Sequence, residues 1–185
     1  YDVFEKTRWL VGVAGARCTT ELKKNVRKKY QRFDDVHVMG FTTDELKRAS
    51  DFTAENFELF AQFELIEAGV SKSMCYRALN QAGIATPIMY RLGYLNNNCI
   101  GCVKGGAGYW NKIRRDFPAA FWRMARLERV LDVAINKTEY RDASGKRVRV
   151  RVFLDELDPE AGRYADEPDI ECGVMCATGT DSETT

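Results

Sequence analysis

The sequence predicts an α/β domain, on three observations. Stretches with apolar residues at helical spacing alternate with short stretches of strand character along the chain. Glycine- and asparagine-rich punctuation separates them. The composition, 45% hydrophobic and 30% charged over 185 residues, is that of a globular chain long enough to bury one sizeable core. Residues 1–176 read as a single domain and residues 177–185 as a polar, mobile tail.

Taken in order, residues 3–14 are apolar and β-branched enough for a strand or an extended edge. In residues 20–33 Leu22, Val26, Tyr30 and Phe33 share one helical face and basic residues fill the other. VHVMGF (36–41) reads as a short buried strand ending at Gly40, with His37, the only histidine, in a structural role. A helix starts near Thr43, where Asp44 and Glu45 meet the positive end of its dipole. Ser71 caps a helix through residue 81 that buries Met74, Cys75, Ala78 and Leu79, and Gly83 stops it. Residues 93–108 form a loop. Pro118 opens a long helix carrying Phe121, Met124, Leu127, Leu131 and Ile135, and SGK (144–146) turns into the alternating strand RVRVRVFL.

The formal net charge of +1 gives no support for a broad attraction to nucleic acid or to a membrane surface. No apolar run is long enough to span a bilayer and no signal-peptide pattern opens the chain, so the expected location is cytoplasmic. Six cysteines then read as metal ligands, redox groups or core residues rather than as a disulfide framework. The chain opens on Tyr1 without a helix cap or a turn, and the expectation is that an N-terminal part of the natural protein precedes it.

The cysteines carry the chemistry. Cys99 and Cys102 form a C-x-x-C pair, and Cys172 and Cys176 a C-x-x-x-C pair in ECGVMC. Two short-spaced pairs from separate loops are a common way to supply the four soft ligands of a tetrahedral site, zinc or iron–sulfur. Gly101, Gly105 and Gly173 beside them would let the backbone wrap an ion closely. The competing reading is loop thiols without a task. Cys18 precedes a basic helix, where the helix N-terminus and Arg17 would stabilise a thiolate or, with Lys23 and Lys24, hold a phosphate. Arg48 reads equally as a phosphate or sulfate ligand beyond a strand's carboxyl end and as an intrahelical partner of Asp44. KGGAG (104–108) is a weak phosphate-cradle signal without the Walker spacing.

Four stretches together resemble the phosphoadenosine phosphosulfate (PAPS) reductase-like family of the adenine nucleotide α-hydrolase superfamily. RCTTELKK (17–24) resembles the family's Cys-x-x-x-x-Lys segment, and VMGFTTDELKRAS (38–50) its substrate segment. Residues 65–102 resemble the stretch ending in Gly-Tyr-x-x-x-x-Cys-x-x-Cys, here Gly93, Tyr94, Cys99 and Cys102. ECGVMC (171–176) resembles the C-terminal Glu-Cys-Gly-Leu-His signature. The resemblance implies an adenine nucleotide α-hydrolase-like fold, an open, mostly parallel sheet flanked by helices. It implies an oxidoreductase of sulfur metabolism in which Cys172 attacks the sulfate sulfur of an adenine sulfonucleotide, with Arg17, Lys23 and Arg48 on phosphate or sulfate. Thioredoxin or glutaredoxin would then release sulfite. It also makes Cys18, Cys99 and Cys102 ligands of an iron–sulfur cluster, while the two pairs with Cys172 and Cys176 suit zinc.

This sequence departs from the pattern at named places. Arg17 stands beside Cys18 where a cysteine pair is expected, and Thr42 and Leu46 replace an arginine and a serine. Val174 and Met175 replace Leu-His, and the Ser-Gly-Gly-x-Asp-Ser pyrophosphate loop does not occur in these residues. Two further readings stay open: an ATP-dependent adenylating sulfurtransferase acting on a nucleic acid, and a non-catalytic module stapled by zinc.

Overall fold

A computed structural model describes residues 1–10, 17–168 and 170. In chain order it has α1 (Asp2–Thr7), α2 (Arg17–Thr19), α3 (Asn25–Tyr30), β1 (Val36–Val38), α4 (Leu46–Glu55), β2 (Phe60–Gln62), α5 (Glu64–Glu67), α6 (Lys72–Gln81), α7 (Ile88–Arg91), α8 (Ala107–Asp116), α9 (Pro118–Leu131), β3 (Asn136–Arg141) and β4 (Arg147–Val152). The protein is thus a mixture of helix and strand. The expected open, mostly parallel sheet amounts, among the described residues, to the parallel pair β1–β2, and β3–β4 form a separate antiparallel hairpin. The chain divides into two compact units, Tyr1–Lys23 with Asn98–Thr185, and Lys24–Asn97. No helix among the described residues is long and apolar enough to cross a membrane.

The core of the first unit is built on α8 and α9. Tyr109, Trp110 and Ile113 of α8 meet Phe121, Met124 and Leu127 of α9, and Leu154 and Leu157 close the cluster. Pro118 opens α9 as expected, because its missing N–H falls on an orphan position of the first turn. Glu128, wholly buried on α9, accepts the N–H groups of Ile135 and Leu154, each at 2.6 Å, which pins the segments before β3 and after β4.

The expected strand over residues 3–14 is corrected: its described part begins with helix α1. Arg123 of α9 reaches both Asp2 (2.7 Å) and Glu5 (3.8 Å), and Phe4 is buried. Residues three apart share a side of a helix but lie on opposite faces of a strand, so one guanidinium serves both acids only if the segment is helical.

In the second unit Phe41, Phe52 and Phe63 form the core, with Phe41 and Phe63 stacked at 5.9 Å and Phe52 edge-on to both. Ser71 caps α6 as expected, its hydroxyl accepting the Met74 N–H at 3.3 Å. Gly83 ends that turn at φ +67°. Two burial expectations are corrected, and one expected helical face proves exposed. Val36 and Val38 of β1 are exposed, Leu22, Val26, Tyr30 and Phe33 are all exposed (Phe33 at 93%), and α6 leaves Met74 and Ala78 exposed with Cys75 and Leu79 half-buried. Periodicity reports which residues share a face, and these faces have no cover among the described residues.

Candidate functional site

The loop that carries Cys99 and Cys102 is wrapped around one phenol. Tyr109, in the first turn of α8, is 1% exposed. Its hydroxyl accepts the N–H groups of Gly101 (3.1 Å) and Cys102 (2.9 Å) and donates to the Cys99 carbonyl (3.1 Å). Burial raises the pKa of the phenol, so it stays protonated and able to donate. Gly101 sits at φ +76°, and a Cβ there would lie 2.6 Å from the Tyr1 hydroxyl and 3.1 Å from the Trp110 ring. A Cβ on Gly105 would collide with the Tyr109 ring. Gly101 and Gly105 thus make room for Tyr109 and its neighbours, while Gly173 lies outside the described residues.

That arrangement turns the Cys99 side chain out to solvent and leaves Cys102 half-buried, both as thiols. Next to them Asn98 donates from Nδ2 to the Ile170 carbonyl at 2.6 Å, which ties the polypeptide just before ECGVMC to the start of the NCIGC loop. Cys172 and Cys176 themselves lie outside the described residues.

Cys18 is a half-buried thiol within α2, one residue past its start, and the Arg17 guanidinium lies 5.8 Å from the Trp9 ring. Lys23 is exposed on a π-helical turn, Thr20–Lys24. Among the described residues no group of three or more histidine, cysteine, aspartate or glutamate side chains is placed to hold a metal ion, so Cys18, Cys99 and Cys102 do not make such a group by themselves.

Arg48, in the second unit, forms an ion pair with Glu45 at 2.5 Å and lies 4.7 Å from the Phe41 ring. Its helical partner is thus Glu45 rather than Asp44, which instead accepts the Lys72 N–H at 2.7 Å. Glu45 and Thr42 form a capping box, so Thr42, at the position where the family's segment has arginine, serves the helix start.

The KGGAG loop does bind an anion, but one from its own chain. The Glu167 carboxylate accepts the N–H groups of Gly106 (3.0 Å) and Gly108 (2.8 Å) at the N-terminus of α8. A side chain on Gly106 would strike that carboxylate, and a Cβ on Gly108 would lie 2.6 Å from the Arg163 carbonyl carbon. Beside it, a pocket of about 330 Å³ opens between α8 and residues 159–165, with the buried Asn111 amide donating to the Asp158 and Ala161 carbonyls at its base.

Tyr109, Glu167 and Asn98 organise the site and are not marked by the sequence. Each acts through one hydrogen-bonding group on distant backbone, and such a group leaves no periodicity or spacing to read. No protein-family model matches the chain, and no curated protein or solved structure matches it.

Proposed function

We propose that the chain is a PAPS reductase-like oxidoreductase, with an adenine nucleotide α-hydrolase-like fold, acting in the cytoplasm on an adenine sulfonucleotide. The observation that supports this reading most is the Asn98–Ile170 hydrogen bond. One residue, Glu171, separates Ile170 from Cys172, a reach of no more than about 7 Å. That short link supports a Cys172 thiol within reach of the loop that carries Cys99 and Cys102, the juxtaposition on which the proposed chemistry depends.

The Cys172 thiolate attacks the sulfate sulfur. A sulfur–sulfur bond forms, the bond from sulfur to the phosphate oxygen breaks, and adenosine phosphate leaves with the electron pair. A dithiol reductant of the thioredoxin or glutaredoxin class then attacks Cys172 Sγ, becomes a disulfide, and releases sulfite. Arg17 and Lys23 supply positive charge for phosphate or sulfate beside Cys18. Arg48, paired with Glu45 across one helical turn, is the third cation of this reading.

A thiophilic metal fits the donor set: Cys99 and Cys102 offer two thiolates from a turn already closed by Tyr109, and Cys172 or Cys176, with Cys18, would complete it. Bound zinc or an iron–sulfur cluster would supply a cross-link between the two ends of the first unit. The test is sulfite release from PAPS or adenylyl sulfate with reduced thioredoxin, using the full-length natural protein carrying its metal. Release that is lost in Cys172→Ser is expected. Its absence in metal-replete protein overturns the reading, and metal content unchanged in Cys99→Ser overturns the assignment of the ligands.

A further inference from the structure

The β3–β4 hairpin carries a concentrated charge of one sign. Its register pairs Lys137 with Arg151, Glu139 with Arg149, and Arg141 with Arg147, and alternation puts all six on the same face. All six are exposed. The other face carries Asn136, Thr138, Tyr140 and the three valines of β4, and it is buried at its base, where Asn136 is 2% exposed. Beyond that base both faces reach solvent, with Tyr140 52% exposed on the second, and the cationic face is exposed at all six positions. Five cations share it with a single carboxylate, in a chain whose formal net charge is only +1. That excess is a local feature compensated elsewhere, and whole-chain charge conceals it.

The ribbon is also continuously paired and closed by a hydrogen-bonded tip. Six residues pair with six without a bulge. At the tip the Asp142 carboxylate accepts from the Ser144 N–H, the Ser144 hydroxyl and the Lys146 N–H, and Gly145 takes φ +80°. Glu139 is held by Arg149 and, at 3.4 Å, by Arg147, and these ion pairs keep its pKa lowered. One guanidinium nitrogen of Arg151 donates to the Ala134 carbonyl, which orients the side chain at the base. Successive side chains on one face lie about 6.8 Å apart along a strand, a spacing suited to successive phosphates of a nucleic-acid backbone.

We propose that this ribbon docks double-stranded DNA through its phosphates. A two-stranded ribbon is narrow enough for the major groove of B-form DNA, whereas the major groove of A-form RNA is too deep and narrow. The cationic face has no aromatic side chain, and single-stranded nucleic acid is usually held by stacking on aromatics. Guanidinium groups, four of the five cations, are the groups best matched to phosphate oxygens. The inference is independent of the sulfonucleotide reading, since it uses no cysteine and no nucleotide site.

Binding of the full chain to a labelled 20-base-pair duplex, titrated between about 50 and 200 mM salt, tests it. The triple change Lys137→Gln, Arg147→Gln, Arg149→Gln is expected to weaken binding on the order of tenfold or more and to lower the slope of log K against log salt by about 2.7. Glu139→Gln, which removes the only carboxylate on the face and releases two guanidinium groups, is expected to tighten binding, a gain that misfolding cannot produce. The proposal is overturned if the triple variant keeps the original affinity and slope. It is equally overturned if Glu139→Gln does not bind more tightly, or if single-stranded DNA, duplex RNA or phosphatidylserine vesicles bind as tightly as the duplex.

Discussion

Glu128 accepts the backbone N–H of Leu154, 26 residues further along the chain, at 2.6 Å in a site from which solvent is excluded. The same carboxylate accepts the Ile135 N–H. Burial outweighs these two donors and raises its pKa from 4.5 to about 7. The folded protein therefore binds this proton more tightly than the unfolded chain does. The stabilisation is complete below pH 4.5 and is lost as pH rises to about 7, amounting to about 3 kcal/mol. Denaturant titrations at pH 4.5, 6 and 7.5 measure it. Glu128→Gln should flatten this component and, by facing one N–H with an amide NH₂, lower stability at pH 5 by about 1–3 kcal/mol.

Removing the Tyr109 hydroxyl leaves the Gly101 and Cys102 N–H groups without an acceptor and the Cys99 carbonyl without its donor. Tyr109→Phe is expected to lower stability by about 1–3 kcal/mol. It should also speed labelling of Cys102 by a thiol reagent relative to Cys75, which lies on α6 in the other unit. Equal acceleration at both thiols would mean global loosening instead of release of the loop.

Glu167→Ala removes the acceptor for two N–H groups at the start of α8 and is expected to lower stability by about 1–2 kcal/mol. Gly108→Ala should lower it by about 1–3 kcal/mol through overlap with the Arg163 backbone. Thermal melts of the two single variants and the double variant check this. The pair is expected to be non-additive, because both changes loosen the same contact between α8 and the segment 163–167.

Phe121, buried completely against Trp110, and Phe33, 93% exposed, are sharply different tests of the same residue type. Phe121→Ala should lower stability by about 3–5 kcal/mol, whereas Phe33→Ala should leave it within about 0.5 kcal/mol. A large loss for Phe33→Ala would show that its face is covered in solution.

What was legible in the sequence was what local chemistry controls. Pro118 and Ser71 announce their helices because each acts within one turn, and the strand after Ser144-Gly145-Lys146 follows from strict alternation. The helix at Asp2–Thr7 was not legible because its determinant is Arg123, over a hundred residues away. The faces of Val36 and Leu22 were legible as patterns but not as burial, which depends on a neighbour that the pattern does not name. At the candidate site the cysteine pairs and the glycines were visible, while Tyr109, Asn98 and Glu167 were not. The purpose of Gly101 and Gly105 could be read only with Tyr109 in place.

The seat that Glu167 takes on α8 also limits where a nucleotide can go. A phosphate approaching residues 104–108 would find both amide donors already committed to an acid of the same sign, covalently linked and so never diluted away. It would have to evict that resident, and a tethered competitor is hard to outbid. An incoming anion is thereby steered off the glycine loop for as long as Glu167 keeps its seat.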